Sequence, residues 1–286
     1  MSKLRISSSL NLHHYPKDDI SEYIRQGLAF CKKLGFDAVD FPSGIFALMG
    51  DDWETLIPIA VEDAAKLGLR FEICHLPFGV NKNDAPERIE AFNASVHRAI
   101  DAAKLLGVDY AVLHPNSGTI PLDDYDPKAE YDMVIEHLTP FAEHAAKVGL
   151  NIVVENMRYL VTDLYPVRRY CGTPEELCKV ADALGIGVCW DFGHANINGL
   201  KQSEALAYVG SRLKVLHVND NFAWGDDHVA PFMGKIDWAD AMKGLSDIGF
   251  NGLLNYEIGT GRIPAGARES FAQYLMDAAH QLLEMM

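Results

Sequence analysis

Six times along this chain an apolar helical stretch closes on an aliphatic residue followed by glycine, and an apolar strand-like run begins almost at once. The pairs are Leu34-Gly35, Leu67-Gly68, Leu106-Gly107, Val148-Gly149, Leu184-Gly185 and Ile248-Gly249. Glycine just past a helix tolerates the left-handed conformation that ends it. Links this short leave the chain few options, because each helix must deliver its strand directly to a neighbouring sheet position.

Candidate strands recur at Leu4–Leu10, Phe36–Phe41, Leu69–Leu76, Asp109–His114, Leu150–Met157, Ile186–His194, Leu213–Asp220 and Phe250–Ile258. Each is followed by a helical stretch: Ile20–Leu34, Trp53–Leu67, Pro86–Leu106, Ala129–Val148, Pro174–Leu184, Ser203–Arg212, Trp238–Ile248 and Ala265–Leu283. Thr173-Pro174-Glu175-Glu176 has the chemistry of a helix start, with a capping hydroxyl, a proline at the first position and acids in the first turn. Asp237 before Trp238 suits a cap as well. Strands alternating with helices imply a parallel sheet with right-handed crossovers. Eight such units predict an α/β protein of the (β/α)8 TIM-barrel type. With no linker or low-complexity segment, residues 1–286 read as a single domain. A doubly wound open sheet is the alternative, but no G-x-G-x-x-G follows any of the strands.

Helix-to-strand links are one to a few residues long, whereas strand-to-helix links include Pro115–Lys128, Arg158–Gly172, Ala195–Gln202 and Asn221–Asp237. In a barrel these irregular segments share the carboxyl face, where active sites are built. Four chemically expensive residues lie at that face: Glu155 ends NIVVEN, Asp191 lies in GVCWDFGH, His217 in LKVLHVND and Glu257 in GLLNYEI. Each alone reads as a paired buried group or a loop cap. As a set on consecutive strands, three carboxylates and an imidazole whose burial is costly point to one divalent cation. Mn²⁺, Co²⁺, Mg²⁺ and Zn²⁺ all suit such a donor set. His75 and His114 end candidate strands three and four and face the same mouth, where either binds substrate hydroxyls or hydrogen-bonds a loop.

A net charge of −15 opposes binding to a polyanion, so no nucleic-acid partner is expected. No apolar run reaches the roughly 18 residues of a membrane span, and no membrane partner is expected. The stretch MSKLRISSSLNLHHY lacks the apolar core of a signal peptide, which makes the cytoplasm the expected compartment. The five cysteines form no C-x-x-C and are odd in number, so neither a disulfide framework nor a thiolate zinc site is expected. Phe271, Tyr274 and Leu275 on the last helix permit a homo-oligomer.

The residues also resemble a known family, the xylose isomerase-like sugar phosphate isomerase and epimerase barrels. The resemblance covers essentially the whole chain. It is carried by Glu155-Asn156, by Asp191-x-x-His194, by His217-x-x-Asp220, by Asp226-Asp227-His228-Val229-Ala230-Pro231, by Gly234-Lys235-Ile236-Asp237-Trp238 and by Glu257. It implies metal ligation by Glu155, Asp191, His217 and Glu257, and a small-molecule sugar as substrate, a ketose or keto-polyol with or without a phosphate. The implied reaction is proton transfer beside a carbonyl through an enediolate that the cation stabilises. Glu155 and Glu257 would face each other across the sugar, one removing a proton and the other returning it. Epimerisation needs that opposition, and aldose–ketose isomerisation can use the same groups. His194 matches the family's substrate-contacting or ligand-orienting histidine. Arg158, His228, Trp224, Phe78, Tyr159 and Phe232 are candidates for the surrounding sugar cage, and each also reads as loop packing. Gly259-Thr260-Gly261-Arg262 is a weak anion-cradle signal.

The chain departs from ketose 3-epimerases of this family in three places. Asn219-Asp220-Asn221-Phe222-Ala223 holds no arginine after the strand-seven histidine. Met157-Arg158-Tyr159-Leu160-Val161 carries no acid until Asp163. Phe232 stands where glycine commonly follows the proline matched by Pro231. Two rivals use the same barrel. A metal-dependent dehydratase of an inosose-like ketone would eliminate hydroxide after forming the same enediolate. A nuclease resembling endonuclease IV would take nine ligands to three zinc ions, and His75, His114, Glu155, Asp191, His194, His217, Asp226, His228 and Glu257 supply that number. The negative net charge and the scarcity of basic residues in the long loops oppose the nuclease. A Schiff-base aldolase is disfavoured because no lysine sits at a strand exit.

Overall fold

The computed structural model describes residues 4–13, 18–80, 84–115, 120–161 and 166–286. Asp163 and parts of the Pro115–Lys128 and Arg158–Gly172 loops lie outside the described residues. Eight parallel strands form one sheet: β1 (Arg5–Ser9), β2 (Ala38–Phe41), β3 (Phe71–His75), β4 (Tyr110–Leu113), β5 (Ile152–Glu155), β6 (Gly187–Asp191), β7 (Leu213–His217) and β8 (Leu253–Tyr256). Pairing runs from β7 through β6, β5, β4, β3, β2 and β1 to β8. A parallel bridge from Val218 to Tyr256 joins the two ends and closes the barrel. The helices packed around it are α1 (Ile20–Leu34), α2 (Trp53–Lys66), α3 (Pro86–Leu106), α4 (Pro127–Val148), α5 (Pro174–Leu184), α6 (Gln202–Val209), α7 (Trp238–Asp247) and α8 (Arg268–Glu284).

The punctuation read from sequence is present in the backbone. All six helix-ending glycines, from Gly35 at φ +88° to Gly249 at φ +66°, take the left-handed conformation. Thr173 Oγ1 accepts the Glu176 amide at 3.3 Å, and Asp237 Oδ1 accepts that of Asp240 at 3.1 Å. All five cysteines are free and buried. No helix among the described residues is long and apolar enough to cross a membrane.

The barrel interior is layered along the strands. At the amino end Arg5 donates twice to Glu72, both at 2.6 Å, and Arg70 Nε lies 3.2 Å from the same carboxylate. Above this plug an apolar layer is packed from Ala38, Ile73, Val112, Val153, Cys189, Val215 and Leu253. Two residues further along, on the same face of each strand, the apolar layer gives way to Asp40, His75, His114, Glu155, Asp191, His217 and Asn255. The period of two thus carries the functional side chains into the mouth.

Three local features differ from the sequence reading. The sixth strand ends at Asp191 rather than His194, because the Asp191 side chain caps a short helix, Phe192–Ile197. A second short helix, Ser43–Met49, follows β2. Within the loops after β4 and β5, Ile120–Pro121, Leu160–Val161 and Pro166–Arg168 form a small antiparallel sheet. Its two- and three-residue strands are too short for alternation to reveal.

Candidate metal centre

Glu155, Asp191, His217 and Glu257 each offer one ligand atom, and these four atoms lie within 4.8 Å of one another. His217 Nδ1 is 3.2 Å from Glu155 Oε1 and 3.3 Å from Glu257 Oε2. Two ligands at right angles around a cation with bonds of about 2.2 Å sit about 3.1 Å apart, so the spacing matches a coordination sphere. His217 is fully buried, and neither ring nitrogen has a hydrogen-bonding partner. Glu155 Oε2 is likewise buried and unbonded. Buried polar atoms are rarely left this way. The donor chemistry and the orphaned atoms both fit a divalent cation.

Further hydrogen bonds hold these side chains in place. Asp191 Oδ1 accepts the His194 amide at 2.6 Å, and Asp191 Oδ2 accepts Asn219 Nδ2 at 2.7 Å. Asn219 reaches it only because residue 193 is glycine, since a Cβ there would lie 2.0 Å from Asn219 Oδ1. Asn156 and the Asp191 backbone bond reciprocally at 2.9 and 2.6 Å and tie the ends of β5 and β6 together. His194 Nδ1 donates to the Asn156 carbonyl at 2.7 Å, which turns its Nε2 toward Asp226 at 3.6 Å. His228 Nδ1 donates to the Glu257 carbonyl at 2.6 Å, which leaves its Nε2 3.2 Å from Asp226 Oδ1. His228 holds this position at φ +47°, one of three non-glycine residues in the loop after β7 with positive φ; the others are Ala223 and Phe232. Such backbone is costly and persists where surrounding contacts impose it.

Asp220, in the His217-x-x-Asp220 motif, organises that loop. It accepts from the amides of Asn221 and Ile236 at 2.8 and 3.1 Å and from Trp238 Nε1 at 2.9 Å.

The two glutamates differ electrostatically. Burial raises the Glu155 carboxyl, but the imidazoles of His217 and His114 outweigh it and hold the group well below the usual carboxylate range. Glu257 moves the other way: burial pushes it up despite His217 and His228. Burial also pushes His114 down to about 4. His194, which burial disfavours as a cation, is raised to about 9 by Asp191, Asp226 and Glu155.

The remaining sequence candidates divide. His75 Nε2 and His114 Nε2 lie 3.5 and 3.2 Å from Glu155 Oε2, and with Glu155 they form a further group with metal-like spacing. Phe78, 53 % exposed, stacks on His114 at 4.5 Å. Trp224 is 67 % exposed and stacks on Phe222, with Lys235 above its ring. Arg158 Nε bonds Asp226 Oδ2 at 2.9 Å. Tyr159 packs on Gly172, where a Cβ would lie 2.3 Å from the ring, and Phe232 lies beside Trp238. Thr260 is buried and bonds the Leu12 carbonyl, while Arg262 is exposed.

Sequence reasoning missed the opposite wall. A cleft of about 230 Å³ beside Glu257, His228 and the expected His75 is also lined by Ser9, Asn11, Asp40 and Ser43. Asp40 is buried; its Oδ2 accepts Asn255 Nδ2 at 3.0 Å, and Asn255 Oδ1 accepts Ser7 Oγ at 2.7 Å. The signal was present in VDF and LNY, where a polar residue interrupts an apolar strand.

Residues 28–277 match the family model described as "Xylose isomerase-like TIM barrel". An uncharacterised protein of Methanocaldococcus jannaschii is 28% identical over 244 residues, covering 79% of this chain and 80% of its own. An inosose isomerase of Bacillus velezensis is 24% identical over 255 residues, covering 82% and 83%. The crystal structure of a Methylomonas D-allulose 3-epimerase with D-allulose superposes with a TM-score of 0.74 at 16% identity, covering 98% of this chain and 97% of that one.

Proposed function

The chain belongs to the xylose isomerase-like TIM-barrel family, and from that premise we propose a divalent-metal-dependent sugar isomerase or epimerase acting on a ketose or keto-polyol. One observation carries this reading: Glu155 Oε1 and Glu257 Oε2, from non-adjacent strands, converge on the same unbonded nitrogen of buried His217. A cation held by Glu155, Asp191, His217 and Glu257 would supply Lewis acidity at a carbonyl and its neighbouring hydroxyl.

The chain's own groups would manage the proton. In the chain alone the imidazoles of His217 and His114 lower the Glu155 carboxyl whereas burial raises that of Glu257, so the two stand in unequal surroundings. In this reading β5 and β8 would offer the two carboxylates to opposite faces of the sugar, as removal and return of a carbon-bound proton require. His228 holds the Glu257 backbone, and His194 ties the short helix capped by Asp191 to the Asn156 carbonyl. The kinship to an inosose isomerase and the fold shared with an allulose epimerase support a polyhydroxylated substrate.

The test is solvent exchange. Protein loaded with Mn²⁺ or Co²⁺ is incubated in D₂O with a panel of ketoses and keto-polyols, and deuterium incorporation is read by NMR. Exchange into one of them is expected. No exchange with any sugar, together with cleavage of abasic DNA, would replace this reading with the nuclease. One arrangement favours that second reading: His75, His114 and Glu155 form one group, the four ligands a second, and His194, Asp226 and His228 a third. Metal analysis separates the two, because one ion per chain is expected here and three for the nuclease.

A further inference from the structure

Two consecutive arginines leave the small sheet above β5; the Nε of each is buried and unbonded, but only the first has an ion pair among the described residues. Arg168 Nη2 pairs with Glu176 Oε1 at 2.6 Å, and its guanidinium lies over the rings of Tyr125 and Tyr159 at 4.4 and 5.4 Å. Arg169 is partly buried, its Nε is fully buried and unbonded, and it forms no ion pair among the described residues. A guanidinium withdrawn from water without a carboxylate is expensive.

The backbone puts Arg169 beside Arg158. The Met157 amide donates to the Cys171 carbonyl at 2.9 Å. Asn198 staples the two segments: its Nδ2 donates to the carbonyls of Met157 and Gly172 at 2.9 and 2.8 Å, and its Oδ1 accepts the Tyr159 amide at 2.7 Å. Arg158 is bonded through Nε to Asp226, which already faces His194 and His228. Arg169 is disfavoured as a cation first by burial and then by Arg158, with Asp226 as the offsetting charge. Asp226, bonded by Arg158 and not paired with Arg169, is thus the charge that offsets both guanidiniums in a chain of net charge −15.

We propose that Arg158 and Arg169 form the seat for an oxyanion carried by the substrate, so that the sugar bears a phosphate or a carboxylate. Guanidinium forks match either group. Asp226 joins this seat to the metal centre through His228 and the Glu257 backbone. A sugar with its carbonyl at the metal ligands would carry the anion at its other end. The inference rests on the sugar-isomerase reading but is tested without turnover.

Calorimetric titration compares glucitol, glucitol 6-phosphate and gluconate on the intact protein. Either charged polyol should bind at least about tenfold more tightly than glucitol, and the one preferred identifies the anion. That preference should shrink as salt rises. It should fall to less than about threefold in Arg169→Ala and be partly retained in Arg169→Lys. Equal binding of all three polyols to the wild type overturns the proposal. So does a charged-polyol preference that survives in a folded Arg169→Ala. Arg169-dependent binding of an abasic DNA duplex with no affinity for either charged polyol also overturns it and assigns the arginines to nucleic acid. If Arg169→Ala does not fold, Arg169→Gln and the salt dependence of the wild type carry the same decision. Deuterium exchange without an anion preference would leave the isomerase standing and remove only the seat.

Discussion

Each end of this barrel buries a carboxylate, and the two are neutralised in different ways. Glu72, at the amino end, is clamped by Arg5 and approached by Arg70. Although burial raises it, the arginines bring its carboxyl below the usual range. Glu155, at the carboxyl end, is surrounded by His75, His114, His194 and His217, and one of its oxygens has no hydrogen-bond donor. Guanidinium charge is permanent, whereas imidazole charge is conditional. The amino end is therefore paired within the chain, whereas the carboxyl end leaves buried polar atoms unbonded. One scaffold keeps stability at one end and its candidate site at the other.

Removing Glu257 should break that contrast most strongly. Glu257→Gln is expected to lower deuterium exchange by about 10²–10⁴-fold while far-UV circular dichroism stays that of the wild type. Exchange at the wild-type rate would remove Glu257 from the chemistry.

At the other end, Glu72→Ala leaves Arg5 and Arg70 facing each other. Breaking a fully buried pair costs about 3–5 kcal/mol, but Arg5 is half exposed, so about 2 kcal/mol is expected by urea denaturation. Metal content per chain should not change. A lower metal content would show that the two ends are coupled.

Gly193→Ala sharpens the metal end alone. Its Cβ would displace Asn219 from Asp191, and loss of an orienting partner weakens metal affinity by about 10–100-fold. Competition with a fluorescent chelator reads this, and unchanged affinity would mean that Asp191 does not need Asn219.

The smallest effect belongs to the punctuation. Gly185 sits at φ +65° with no atom within 4 Å of an added Cβ. Gly185→Ala should therefore cost about 1 kcal/mol from backbone conformation alone, read as a shift in the denaturation midpoint.

What was legible in the sequence was local. The aliphatic-glycine pairs, the Thr173 and Asp237 caps and the switch from apolar to polar at period two all act within a few residues. The short helix after β6 escaped because Asp191 does two jobs, capping Phe192–Ile197 and joining the four candidate ligands, and only the second is visible in an apolar run. The layer formed by Ser7, Asp40 and Asn255 depends on pairing across 248 and 215 residues of chain. The contrast between Arg168 and Arg169 is also invisible in one dimension, because adjacent identical residues differ only in what the fold brings beside them.

The joint between β7 and β8 carries one last consequence. Elsewhere neighbouring strands share a ladder, but here closure rests on the Val218–Tyr256 bridge, with Val218 N to Asn255 O at 2.8 Å and Glu257 N to Val218 O at 3.3 Å. His217 lies on one side of that seam and Glu257 on the other. An ion bound by both would act as a clasp on the barrel's weakest stave, so chelation would loosen the hoop at this seam first. Amide hydrogen exchange at Val218 and Glu257 would then report the state of the clasp before any other part of the barrel registered it.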